Sequence, residues 1–353
     1  MPEKPTQRRK KDHLRIVSEE EVAHWQGTLL NDVQLVHNAL SELALAEIDI
    51  SAELFGKRLA APLMVTSMSG GVDQGSRLNH DLAAVTGRLG IAFAVGSQRA
   101  QLEYPETREQ FAVRPQIPDG VLLGNIGGQQ LVEYPIERIC ELVKSIEADG
   151  ICVHLNPAHE MAQDEGARDF RGILSAIGKL VSALEGRVVV KEVGNGLSAD
   201  VVKRLQAVGV HVFDVAGSGG TSWPRVEQYR ANDAGSRAVA ETFADWGLPT
   251  AVCVIAARRA VGKQAVIIAS GGVYSGLEAA KAIACGADLA GVARPVLEAW
   301  RDGGQLGVES YLKRVVHELK TTLILTGCPD LPALKQAPKL YTGKLAEWVN
   351  HFD

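Results

Sequence analysis

Between residues 150 and 160 the chain reads Gly-Ile-Cys-Val-His-Leu-Asn-Pro-Ala-His-Glu, an apolar run that turns abruptly polar. Its last seven residues carry two imidazoles (His154, His159), an amide (Asn156) and a carboxylate (Glu160). Imidazoles exchange protons near neutral pH. A carboxylate beside phosphates is a candidate Mg²⁺ ligand, because that ion uses one or two carboxylates plus phosphate oxygens. Taken alone, Glu160 is an ordinary helix-start carboxylate. A second reactive group is the basic run Arg8-Arg9-Lys10-Lys11, extended by His13 and Arg15. On composition this run reads as a solvated, disordered tail. Its functional reading is a phosphate clamp that orders on ligand binding. Lys191 is a third: either a lysine paired with Glu192, or a cation set against an electron-rich cofactor ring.

Something must place these groups together. Eight short apolar runs recur along the chain, each ending in glycine or polar residues. They begin at Leu63, Ala92, Val121, Ile151, Val188, Val210, Ala265 and Leu289. Near-continuous apolar runs are how strands buried on both faces of a parallel sheet read. Amphipathic stretches lie between most of them, such as Pro135 to Asp149, with Ile136, Ile139, Leu142, Val143 and Ile146 on one face. Ser198 is the expected N-cap of another, which closes before Gly209. Helices are also expected over Gly276 to Cys285 and Val308 to Leu325. The count implies an α/β fold of (β/α)8 TIM-barrel type, with a doubly wound sheet as the alternative. The surplus length is assigned to an N-terminal extension (1–60), an insertion after the sixth strand (218–236) and a C-terminal tail (326–353). Residues 19–47 read as partly helical and 48–60 as a β-type lead-in. No low-complexity linker interrupts the chain, so residues 1–353 are expected to form one domain.

In such a barrel the site lies at the carboxyl ends of the strands. Those ends here hold Thr66, Ser67, Ser69, Ser97, Gln98, Arg99, Asn125, His154, Lys191, Asp214, Ser218, Thr221, Ser270 and Arg294. A ring of polar groups at one mouth points to a ligand, since unpartnered burial is costly. Ser270-Gly271-Gly272 after the seventh strand and Ala293-Arg294 after the eighth occupy the usual phosphate position.

Composition narrows the partners. A net charge of −5 gives no argument for nucleic acid or membrane surfaces. No apolar run is long enough for a membrane span, and the polar N-terminus is unlike a secretory signal. The five cysteines have no metal or disulfide spacing and read as buried thiols of a cytoplasmic protein.

The motifs, in order, resemble the type 2 isopentenyl diphosphate isomerases. They are Arg9-Lys-Lys-Asp-His-Leu14, Ser67-Met-Ser-Gly-Gly71, Gly96-Ser-Gln-Arg99, Asn125-Ile-Gly-Gly128, His154-Leu-Asn-Pro-Ala-His-Glu160, Lys191-Glu-Val-Gly194, Asp214 to Trp223, and Ala269-Ser-Gly-Gly272. The resemblance covers nearly the whole chain. It implies an FMN-dependent barrel that interconverts isopentenyl and dimethylallyl diphosphate, with Mg²⁺ present, flavin reduced by NADPH, and a homotetrameric or homo-octameric assembly. It further implies that Arg9, Lys10, His13, Ser97, Gln98, Arg99, Asn156 and His159 contact the prenyl diphosphate. Thr66, Ser67, Met68, Ser69, Ser97, Asn125, Lys191, Ser218, Thr221, Gly271, Gly272, Ala293 and Arg294 would hold FMN, and Glu160 the metal. His154, His159 and Lys191 would stand nearest the chemistry.

Three positions depart from that pattern. His159 stands where the family has glutamine, Ser69 where it has threonine, and Tyr274 where it has arginine. A neutral imidazole offers one donor and one acceptor, as an amide can, but it also titrates. Two other activities therefore compete: altered chemistry on a related prenyl or allylic phosphate, and an FMN-dependent oxidoreductase of the 2-hydroxyacid type. The second is disfavoured because residues 250–268 lack the histidine that class uses.

Overall fold

A computed structural model describes residues 5–68 and 73–351. Its strands are β1 (Val33–Leu35), β2 (Ala52–Leu54), β3 (Lys57–Leu59), β4 (Leu63–Val65), β5 (Ala92–Ala94), β6 (Leu122–Gly127), β7 (Gly150–His154), β8 (Val188–Lys191), β9 (Val212–Asp214), β10 (Val266–Ala269), β11 (Leu289–Val292) and β12 (Lys339–Tyr341). β4 to β11 pair in parallel and close into a barrel, in which β11 joins β4 and β9 joins β10. These are the eight runs read from the sequence. Nearly all their residues are buried, because helices cover the outside and side chains fill the inside.

The packing separates into two apolar layers. Inside the barrel, Met64, Ala92, Ala94, Leu123, Cys152, Val189, Val212, Ile268 and Leu289 fill the lumen. Leu54 and Leu59, from the β2–β3 hairpin, join this cluster and plug the amino-terminal end. Outside, alternate strand residues pack against the helices in a larger cluster. Helix Ile136–Ser145 buries Ile139, Leu142 and Val143, the face expected from its spacing. Ser198 caps Ala199–Ala207 by accepting from the Val201 N–H, and Gly209 turns the chain at φ +92°. Gly304 (φ +56°) breaks the long helical stretch Arg294–Thr326 in two. Four cysteines are buried, and burial pushes the Cys152 and Cys285 thiols up to about 12.

Four expectations are refined by the structure. Residues 5–19 are helical (Pro5–Glu19), not a disordered tail. Leu14, Ile16 and Val17 bury one side of that helix in the outer core, which fixes its place. Residues 19–47 are mostly extended, with helix-like turns only at Leu30–Asp32 and Leu45–Glu47. Many of their backbone bonds go to distant parts of the chain: His24 N to Gly220 O at 2.9 Å, Ser222 N to Val22 O at 2.7 Å and Val36 N to Pro338 O at 3.0 Å. The segment beyond Thr326 is built into the fold, since β12 pairs antiparallel with β1. The insertion after β9 forms helices Trp223–Arg230 and Ala234–Thr242, six residues longer than expected, and folds back over the barrel mouth.

Candidate active site

The carboxyl ends of the strands open into a cavity of about 260 Å³. Its floor comes from strand register. His154, Lys191 and Asp214 are neighbours across β7, β8 and β9, so they share one layer just above the apolar lumen. Lys191 is 5% exposed; its Nζ donates to the Glu192 carbonyl at 2.5 Å and lies 4.0 Å from Asp214 Oδ2. The pairing with the Glu192 carboxylate that adjacency suggests does not form. That carboxylate instead accepts the backbone N–H groups of Val193, Gly194 and Asn195. Asp214 is fully buried, with Oδ1 taking the Ser270 hydroxyl at 2.5 Å and Oδ2 left without a hydrogen bond. Burial pushes its carboxyl above the usual range, opposed by Lys191. His154 Nδ1 meets Asn125 Oδ1 at 3.0 Å. Burial first, and Lys191 second, hold its imidazole down at about 3, so it is neutral at pH 7.

One end of the cavity is backbone-lined. Gly271 and Gly272 adopt φ +94° and +79°, and a Cβ on Gly271 would sit 2.0 Å from the Gly217 carbonyl. Only glycine fits this crossing of the β9 and β10 loops. Gly220, Thr221, Ala293 and Arg294 complete this end, with Tyr274 beside them. Arg294 is braced by Glu298 at 2.9 Å. Ser67 lines the cavity with its hydroxyl buried and unpartnered. Ala216, also in the wall, holds a left-handed φ of +37°, strain of the kind that collects at functional sites.

The other end is cationic. Arg9 and Lys10, from the first helix, converge with Arg99 and Ser97 from the β5 loop. Lys10 Nζ donates to the Ser97 carbonyl at 3.2 Å. Burial, then the Arg9 charge, lowers Lys10 to about 7, against a pull upward from Glu103. Glu160 faces this end, its oxygens accepting from Asn156 Nδ2 at 2.8 Å and the Ala167 N–H at 2.7 Å.

Glu227, which the sequence reading missed, is 2% exposed and organises the roof. Its Oε1 meets His13 Nε2 at 2.7 Å and His159 Nε2 at 2.8 Å, while Arg230 binds Oε2. Trp223 stacks on His159, with centroids 4.8 Å apart, and meets His13 edge-on. Burial lowers His13 to about 4, and the two histidines hold the Glu227 carboxyl far below its usual range despite burial. An acid inside Trp-Pro-Arg-Val-Glu-Gln-Tyr-Arg reads as solvated; only the fold-back of that helix reveals its place.

Of the residues named from sequence, Arg9, Lys10, His13, Thr66, Ser67, Met68, Ser97, Arg99, Asn125, His154, Asn156, His159, Glu160, Lys191, Thr221, Gly271, Gly272, Ala293 and Arg294 line this one cavity. Two do not. Gln98 is turned into the wall, where Oε1 accepts the Asn125 N–H and Nε2 donates to Gln101. Ser218 lies behind the wall, its hydroxyl taken by Gln26 at 2.9 Å. Both side chains are fully buried and engaged in internal hydrogen bonds. Ser69 lies outside the described residues.

Comparison with known proteins agrees in two ways. Residues 119–340 match the family model described as FMN-dependent dehydrogenase. The isopentenyl-diphosphate delta-isomerase of Ignicoccus hospitalis is 42% identical, over 98% of this chain and 96% of its own. That of Stutzerimonas stutzeri is 46% identical over 93% and 95%, and that of Nostoc 41% over 95% and 96%. Among solved structures, a mandelate oxidase with (S)-2-phenylpropionate superposes at TM-score 0.65 and 17% identity, covering 94% of each chain. At that identity the likeness speaks for the barrel alone.

Proposed function

Because the chain belongs to the FMN-dependent, type 2 isopentenyl-diphosphate delta-isomerases, we propose that its cavity interconverts isopentenyl and dimethylallyl diphosphate with reduced FMN and Mg²⁺. One observation carries this reading. The cavity is lined by a glycine and Arg294 set from the loops after β9, β10 and β11, by an Arg9, Lys10 and Arg99 set from the first helix and the β5 loop, and by a neutral imidazole and a buried lysine. Two phosphate-bearing ligands account for both sets.

The glycine end fits the FMN phosphate: Gly271 and Gly272 leave no room for a side chain where a phosphate must approach backbone N–H groups. Arg294 adds charge there, and Tyr274 lines the cavity beside it. The unpartnered Ser67 hydroxyl fits a polar cofactor edge. When bound and reduced, FMN supplies an electron-rich ring that balances positive charge on an alkene and exchanges a proton. Lys191, fixed by Asp214 and the Glu192 carbonyl, would supply a preorganised ammonium to such a ring.

At the opposite end Arg9, Lys10, Arg99 and Ser97 bind the diphosphate. Glu160 is the only carboxylate among the described residues that line the cavity, which suits Mg²⁺ shared between a carboxylate and phosphate oxygens. Moving the double bond requires a proton gained at one carbon and lost at another. Glu227 Oε1 fixes the His13 and His159 rings at the roof of the cavity, where an imidazole can pass a proton. His154 stays neutral and orients through Asn125. The roof closes the alkene away from water with Trp223.

NADPH is the proposed reductant, and residues 1–353 are read as one FMN-binding domain, supported by the β1–β12 pairing of its extremities. A homotetramer or homo-octamer is the assembly the family resemblance implies, and exposed Trp25 and Trp246 are surfaces such an assembly could cover. A cytoplasmic location is consistent with the absence, among the described residues, of any helix long and apolar enough to cross a membrane. The purified protein is expected to be yellow, to bleach under argon with NADPH or dithionite, and to turn over only in that state with Mg²⁺. Equal turnover by oxidised or Mg²⁺-free protein would overturn the reading.

A further inference from the structure

His13, His159 and Glu227 come from three distant parts of the chain: the first helix, the β7 loop and the insertion helix. Their Nε2, Nε2 and carboxylate oxygen atoms all lie within 4.8 Å of one another. The side chains are 13%, 12% and 2% exposed, so the cluster is nearly dry. We propose that these three side chains form a binding site for a borderline divalent transition cation of the Fe²⁺–Zn²⁺ series, separate from the carboxylate Glu160.

The chemistry follows from the donor set. Two imidazole nitrogens and one carboxylate oxygen are the ligands that Zn²⁺ and non-haem Fe²⁺ take when coordination positions remain open. Mg²⁺ prefers oxygen ligands and is a poor match for two imidazoles. Oε1 of Glu227 is also crowded. It faces His13 Nε2 at 2.7 Å, His159 Nε2 at 2.8 Å and Gln163 Nε2 at 3.2 Å. Three donors converge on an oxygen with about two lone-pair sites. Metal–ligand bonds of about 2.0–2.2 Å put neighbouring ligand atoms roughly 3 Å apart. The two nitrogen–oxygen pairs thus need to open by a few tenths of an ångström, while the two nitrogens, within 4.8 Å of each other, adjust to the same spacing.

The surroundings hold that arrangement. Arg230 binds the other oxygen of Glu227, which leaves Oε1 aimed at the histidines. Such outer contacts orient ligands. Trp223 stacks on one ring and abuts the other, limiting their rotation. His13, His159 and Trp223 all line the cavity, so the open positions face it. Binding requires each ring to give its Nε2 lone pair to the cation, the displaced proton moving to Nδ1 or to solvent.

The test is calorimetric titration of the FMN-loaded protein with Zn²⁺ in millimolar Mg²⁺, which occupies any magnesium site. One Zn²⁺ per chain is expected. His159→Gln is expected to weaken it by at least about 100-fold, beyond the 10–100-fold typical of outer-contact changes, and Glu160→Gln to leave it within about threefold. Co²⁺ loading should add absorption bands beyond the flavin envelope, absent in His159→Gln. Flavin content and melting temperature check folding of both variants. Zn²⁺ binding that survives His159→Gln, or that vanishes only in Glu160→Gln, would overturn the proposal, as would no binding to the unaltered protein. The site rests on side chains alone, so failure of the isomerase assay is a separate result.

Discussion

The two ends of the barrel are made from the same eight strands and could hardly differ more. At the amino-terminal end, Leu54 and Leu59 of a hairpin drop into a lumen lined by Ala92, Leu123, Cys152, Val189 and Leu289. At the carboxyl end, one register step above, the lumen carries Lys191, Asp214, Asn125 and His154. Apolar burial stabilises at roughly 25 cal/mol per Å². A buried lysine beside a buried carboxylate adds little net stability and is strongly unfavourable when one partner is lost. The closed end is therefore where stability comes from, and the open end is where it is given up. The Ser67 hydroxyl and Asp214 Oδ2, buried without a hydrogen bond at the open end, show the same bias.

That contrast can be broken at either end. The largest expected effect is Lys191→Met: turnover should fall by about 10²–10³, the usual loss for a preorganised electrostatic group, with flavin still bound. Single-turnover kinetics of reduced, substrate-saturated protein measure it, and retained activity would remove Lys191 from the chemistry. Next comes Leu59→Ala in the plug. Denaturant unfolding should show about 2–5 kcal/mol lost, while turnover per bound flavin stays within about twofold. A large turnover loss would mean that the two ends are coupled.

The smallest effect is a pH dependence at the cationic end. Lys10, held near 7 by burial and by Arg9 and Arg99 against Glu103, is charged below that value and neutral above it. Diphosphate binds the charged form. KM for the diphosphate should therefore rise as pH climbs through 7, by at most about tenfold per unit. In Lys10→Gln that slope should flatten, and an unchanged slope would assign the titration elsewhere.

Sequence made the closed scaffold legible and the roof illegible, for physical reasons. β4 to β11 are buried on both faces, so each leaves an unbroken apolar run that needs no tertiary context to read. The strand-end polar groups were legible too, because chain position alone puts Asn125, His154 and Lys191 at one mouth. Position could not say which way a side chain turns. Gln98 points into the wall because Oε1 satisfies the Asn125 N–H, a contact set by packing between β5 and β6. Glu227 was hidden because a lone acid in a helix carries no pattern; it is buried only where the insertion meets the first helix. That first helix was itself hidden, since its charged residues reach inward to a cavity absent from the local sequence.

The central claim is that the open end is a flavin-dependent double-bond isomerase site. Product NMR of isopentenyl diphosphate incubated anaerobically with FMN-loaded, dithionite-reduced protein and Mg²⁺ tests it most directly. The account expects dimethylallyl diphosphate to accumulate to an equilibrium mixture that is reached equally from either isomer. Unchanged isopentenyl diphosphate in the presence of bound, fully reduced FMN would contradict it.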